Sequence, residues 1–138
     1  MACELCDGPG GDLLWQDDVC RVVLVGDPQI PGFARVVVGR HAAELTDLDE
    51  RECARVMRAV FAVEEALRAV LAPHKVNVAS LGNVTPHVHW HVIPRWRDDP
   101  WFPDPIWAPP RRDAAPRALP DGAREQLARR IADGLAGP

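Results

Sequence analysis

Apolar residues along this chain keep two different periods. In the first third they come in short runs: residues 13–16 and 20–25 flank Asp17-Asp18, and residues 34–39 follow the stretch Gly26-Asp27-Pro28-Gln29-Ile30-Pro31-Gly32. Valine-rich runs bounded by turn residues predict three strands, the first two joined as a hairpin and the third reached through a loop. The period then lengthens. Leu48, Val56, Val60, Val63, Leu67 and Val70 or Leu71 share one stripe of a helix, which Thr46 or Asp47 can cap and Pro73 ends. Arg51, Arg55, Arg58, Glu64, Glu65 and Arg68 fall on its outer face and read as solvated surface. Residues 75–81 alternate as a fourth strand. The turn Gly82-Asn83-Val84-Thr85-Pro86 leads into a fifth, so these two are expected to be antiparallel neighbours, with Asn77 and Asn83 close to whatever the fifth strand carries.

That fifth strand carries three of the five histidines. His87, His89 and His91 alternate with Val88, Trp90 and Val92, and the two-residue period of a strand puts the imidazoles on one face and the apolar set on the other. Imidazole serves as nucleophile, proton donor or metal ligand, so the row supports several chemistries. Three histidines in one strand span about 13–14 Å at ~3.4 Å per residue, too far for a single ion to bridge the whole row.

After Arg95 the composition changes. Proline is dense over residues 100–120, with Trp96, Trp101, Phe102, Ile106 and Trp107 among charges. Such a segment is an extended arm, and its aromatics are expected to pack on the body or on a second subunit. A short helix over residues 121–135, capped by Asp121, is expected to close the chain.

At 138 residues the chain fits a single domain, residues 1–138, with a core over 12–95 and the arm and helix over 96–138. A formal charge of −4 with interspersed signs points away from nucleic acid. No stretch approaches the ~20 apolar residues of a membrane span and no export signal is evident, so a cytoplasmic location is expected. Reduced cysteines follow from that, and Cys3-x-x-Cys6 reads as half of a metal site, whereas Cys20 and Cys53 read as small buried hydrophobes.

The stretch His87-Val88-His89-Trp90-His91-Val92-Ile93 resembles the signature of the histidine-triad (HIT) family. The Pro28 to Gly32 loop before a valine-rich strand, the long helix and Gly82-Asn83 add to the likeness. The resemblance implies an α+β fold, a five-stranded, mainly antiparallel sheet with one long helix, usually as a homodimer. It also implies nucleotidyl hydrolysis or transfer, with His89 as the nucleophile on an α-phosphate and the His87 carbonyl orienting its ring. By the same matching His91 contacts the phosphate, Asn83 donates to its oxygens, and Asn77 contacts ribose or phosphate. Relatives with a structural zinc imply Cys3, Cys6, His41 and His87 as its ligands; no organic cofactor is implied. Phe33 departs from the pattern, standing where many members have a histidine, and the arm looks like that of a bacterial subgroup called diadenosine polyphosphate hydrolase-like. Arg95 and Arg97 either meet a polyphosphate or solvate the strand end. The competing reading is a zinc-stabilised nucleotide-binding or scaffold protein with little catalysis.

Overall fold

The computed structural model describes residues 2–137; Met1 and Pro138, the ends of the expected 1–138 span, lie outside them. The hairpin is β1 (Asp12–Gln16) and β2 (Cys20–Leu24), and β3 (Ala34–Val38) follows antiparallel to β2. Asp17 makes the hairpin turn: its Oδ1 accepts from the backbone N–H of Val19 at 2.8 Å and of Cys20 at 2.9 Å. Helix α2 (Glu50–Leu71) crosses one face, and β4 (Lys75–Ala79) and β5 (His89–Arg95) complete a sheet of order β1-β2-β3-β5-β4. This is an α+β fold.

The strand period sorts the residues into two faces. Cys20, Val22, Leu24, Ala34, Val36, Val38 and Val92 bury against Val56, Val60, Val63 and Leu67 of α2, while Val23, Val37, His89, His91 and Ile93 point the other way. The closing helix, α3 (Ala123–Leu135), adds Leu127, Ile131 and Leu135 to the α2 side. Gly32 has φ +85°, and a Cβ there would lie 2.5 Å from Leu71 Cδ1, so only glycine lets this loop rest on the end of α2.

Several boundaries differ from those expected, each for a local reason. The cap of α2 is Asp49, whose side chain accepts from Glu52 N at 2.8 Å while Glu52 Oε1 accepts from Asp49 N at 2.9 Å. Thr46 and Asp47 belong instead to a 3₁₀ turn, Leu45–Asp47, and Leu48 packs on the core from outside the helix. The cap of α3 is Gly122, not Asp121. Strand β4 stops at Ala79, and β5 begins at His89, leaving His87 outside the ladder. Of the residues read as solvated, Arg55 bonds Asp17 at 2.8 Å and the Leu135 carbonyl at 2.9 Å, joining α2 to the hairpin and to α3.

The face opposite α2 is covered by the N-terminal segment and by the arm that follows β5. A one-turn helix, α1 (Glu4–Asp7), had no forewarning in the sequence; it is fastened by Arg21, which donates to the carbonyls of Leu5 at 2.6 Å, Gly8 at 3.0 Å and Pro9 at 2.8 Å. The arm packs on the body as expected, with Trp96, Trp101 and Ile106 against Ile30, Phe33 and Ile93. No helix among the described residues is long and apolar enough to cross a membrane.

Candidate functional site

His89 and His91 emerge on the face that α2 leaves free, as alternation requires, and both are almost buried. His89 Nδ1 lies 2.6 Å from the His87 carbonyl oxygen. A carbonyl only accepts, so Nδ1 carries a proton, and in the neutral ring the lone pair is on Nε2. Ser80 Oγ holds the same residue's backbone by donating to the His89 carbonyl at 2.7 Å. His91 stands between Arg35 of β3 and the small Ala79 of β4 in the ladder, its ring edge-on to His89 at 5.0 Å. Burial first, then the neighbouring His89 and Arg35, push the His91 imidazole down to about 4, so it is neutral at pH 7.

A cleft of about 430 Å³ opens on these two rings, and Arg35, Asn83, Thr85 and Trp107 are among its lining residues. Asn83 is thus brought to the histidines. Asn77 is turned to a different partner: its Oδ1 accepts from Arg95 Nη1 at 2.8 Å. Arg95 itself neither reaches the cleft nor solvates the strand end. It is 1% exposed and forked onto Asp99 at 2.7 and 3.0 Å, and Asp99 in turn accepts from the N–H groups of Trp96, Trp101 and Phe102. The pair folds the arm back on the body. Arg97 is turned to His74, which its Nε reaches at 3.1 Å.

The arm also returns Trp107 to the site, half exposed and 5.2 Å from the His91 ring. Sequence reasoning took Trp107 only as packing material and overlooked Arg35 and Ser80. Arg35 did leave a signal: it is the one charge in the valine strand Ala34–Val38 and has the parity of the free face.

His87 does different work. It is fully buried, and its Nε2–H donates to the Val38 carbonyl at 2.6 Å, which leaves Nδ1 unprotonated. That nitrogen faces Cys3 Sγ at 3.5 Å and Cys6 Sγ at 3.4 Å, and His41 Nδ1 lies 3.3 Å from Cys6 Sγ. All four donor atoms fall within 4.8 Å of one another. A tetrahedral zinc with ~2.3 Å bonds to sulfur and ~2.0 Å to nitrogen spaces its ligands about 3.3–3.8 Å apart, so the Cys2His2 set fits that ion. Desolvation first, then the Cys3 thiol beside it, push the Cys6 thiol up; a divalent cation reverses that balance because thiolate is the ligand form. Cys20 is buried, as expected of a small hydrophobe, its thiol pushed up to about 12. Cys53 is only partly buried and packs on the core.

A long helix on an antiparallel sheet, with alternating histidines opposite the helix, defines a histidine-triad protein. The HIT domain model matches residues 10–98, and the chain belongs to that family. It is 35% identical over 81 residues to a Mycobacterium tuberculosis protein named AP-4-A phosphorylase; the match covers 54% of this chain and only 42% of that relative. A histidine triad protein from Sinorhizobium meliloti superposes with a TM-score of 0.72 at 26% identity, covering 98% of this chain and 96% of the other. A zinc-bound histidine triad family protein from Mycobacterium smegmatis shares the fold, with a TM-score of 0.63 at 22% identity over 99% of this chain and 94% of that one.

Proposed function

We propose that this protein is a nucleotidyl hydrolase or transferase that cleaves a nucleoside phosphate or dinucleoside polyphosphate at the α-phosphate through a nucleotidyl-His89 intermediate. One observation carries the reading: the 2.6 Å bond from His89 Nδ1 to the His87 carbonyl, which fixes the ring beside the cleft and, in the neutral ring, leaves the lone pair on Nε2. The name of the mycobacterial relative supports a nucleoside polyphosphate as substrate.

In the first step the Nε2 lone pair forms an N–P bond while the bond from phosphorus to the leaving group breaks, and that bond's electron pair departs with the leaving atom. The ring becomes cationic and keeps its Nδ1 proton, which the His87 carbonyl stabilises. In the second step water, or another acceptor, attacks phosphorus; the N–P pair returns to Nε2 and the attacking hydroxyl gives up its proton. His91, uncharged at pH 7, accompanies the phosphoryl oxygens, and the Asn83 amide donates to them. Asn77 contributes only through its amide nitrogen, its oxygen being held by Arg95. Trp107 offers a ring face to a base.

Cys3, Cys6, His41 and His87 would hold zinc in a closed structural site, supplying rigidity and no open coordination position. Reduced thiols at that cluster suit a reducing compartment such as the cytoplasm. The edge strand β4, with Val78 exposed beside Leu81, supports a homodimer.

The deciding experiment is a nucleotide panel with acid trapping of phosphorylated imidazole. His89→Ala is expected to lower turnover more than about a thousandfold and to abolish trapping. Full turnover by that variant would exclude the covalent route. The competing reading, a nucleotide binder, draws on the arm residues packed around Phe33; tight binding without turnover by the wild type would favour it.

A further inference from the structure

Among the described residues three buried polar side-chain atoms have no hydrogen-bond partner: Arg35 Nε, Trp90 Nε1 and His91 Nδ1. Two of them belong to residues that line the same cleft. Both atoms are themselves inaccessible, yet folded chains rarely leave buried polar groups unpaired, so two such residues on one cavity wall mark a side of the cleft whose polar partners are incomplete.

Arg35 is an expensive residue for its position. Its strand neighbours Ala34, Val36, Val37 and Val38 are all buried, yet it carries a permanent charge and has no ion pair within 4 Å among the described residues. The nearest acid lining the cleft, Glu4, accepts from the Thr85 hydroxyl at 3.1 Å. Phe33 supports the guanidinium from below, 5.9 Å from its ring centre. A half-buried cation that feels Glu4 only at a distance and makes no direct ion pair among the described residues is suited to receive an external anion.

Its register says which part of a substrate it meets. Arg35 pairs across the ladder with His91, whereas His89 pairs with Val37. Arg35 is therefore a diagonal neighbour of His89, ~7–8 Å away along the face, one position beyond the residue proposed to attack phosphorus. We infer that Arg35 holds a phosphate of the leaving group and so selects substrates that depart as a phosphate chain over those that depart as an amine. The inference rests on the nucleotidyl-transfer reading. When a P–O bond to a phosphate chain breaks, the electron pair and a negative charge pass to the leaving oxygen, and a fixed cation stabilises it with no proton transfer. An amine that takes the pair of a P–N bond must gain a proton, which a guanidinium does not give up.

The test compares kcat/KM for diadenosine tetraphosphate and adenosine 5′-phosphoramidate, which share the transferred nucleotide. Arg35→Leu is expected to lower the first by about 10- to 100-fold, the range of a charge-assisted hydrogen bond, and to leave the second within about threefold. Arg35→Lys, which keeps the charge and loses the fork, is expected to show a smaller loss in the same direction, and it decides the matter if Arg35→Leu fails to fold. Parallel losses on both substrates, or no loss on either, overturn the inference. Should the wild type turn over no nucleotide of the panel, the nucleotidyl-transfer reading fails by itself, and Arg35 is then read by binding. Loss of ADP affinity relative to AMP in Arg35→Leu keeps the phosphate site, and equal changes in both affinities remove it.

Discussion

His87 and His89 lie two residues apart and hold opposite ring nitrogens in reserve. The first donates from Nε2 to Val38 and frees Nδ1 for the cysteines; the second donates from Nδ1 to the His87 carbonyl and frees Nε2 for the cleft. One backbone carbonyl thus couples a metal-type cluster to the proposed nucleophile. Among the described residues His91 has no such partner for its Nδ1, and burial holds its imidazole down to about 4. Unfolded, the same ring titrates near ~6.5. Between those values the unfolded chain binds a proton that the native chain refuses, so stability rises with pH across the window and falls on acidification. The loss is expected to be on the order of 2 kcal/mol between pH 6.5 and 4, after allowance for screening. Thermal melts of the wild type and His91→Asn over that range check it, since the variant lacks this titration; parallel curves would contradict the assignment.

Among the elements, the arm is the one whose sequence says least about where it goes. Its course is set by Arg95 and Asp99, both nearly inaccessible and both fully engaged. Asp99→Ala is expected to cost about 3–5 kcal/mol in urea denaturation because it strands a buried guanidinium. Arg95→Met/Asp99→Leu should cost less than that single change, as it removes both charges; a cost below about 1 kcal/mol for Asp99→Ala would show that the pair does not hold the arm. Strands β1 to β5 and α2 were legible because burial on one face imprints a period on the residues. Their ends were less so: Thr46, Asp47 and Asp49 all suit a cap, and the choice was made by Glu52 reaching back to Asp49. The triad histidines announced the site through alternation alone. Arg35 and Trp107 did not, because their role depends on which chain segments meet: β3 pairing with β5, and an arm folded back by a buried ion pair.

Across the whole molecule, the N-terminus, the end of β3 and the entry to β5 converge on Cys3, Cys6, His41 and His87, residues separated by up to 84 positions. A metal at this point would close that long loop and immobilise the backbone that orients His89. An ion bound by the native state alone stabilises it by RT ln(1 + [L]/Kd), ~4 kcal/mol at a thousandfold excess over Kd. The purified protein is expected to carry one zinc per chain by elemental analysis, and Cys3→Ser/Cys6→Ser to lose it. The melting temperature should drop accordingly. Turnover should fall too, but less than for His89→Ala, since the variant loosens the His87 carbonyl and leaves the nucleophile in place. The double variant separates two architectures. If zinc persists without both cysteines, the ion sits elsewhere, and the histidine row, not the N-terminal cluster, becomes the place to look for it.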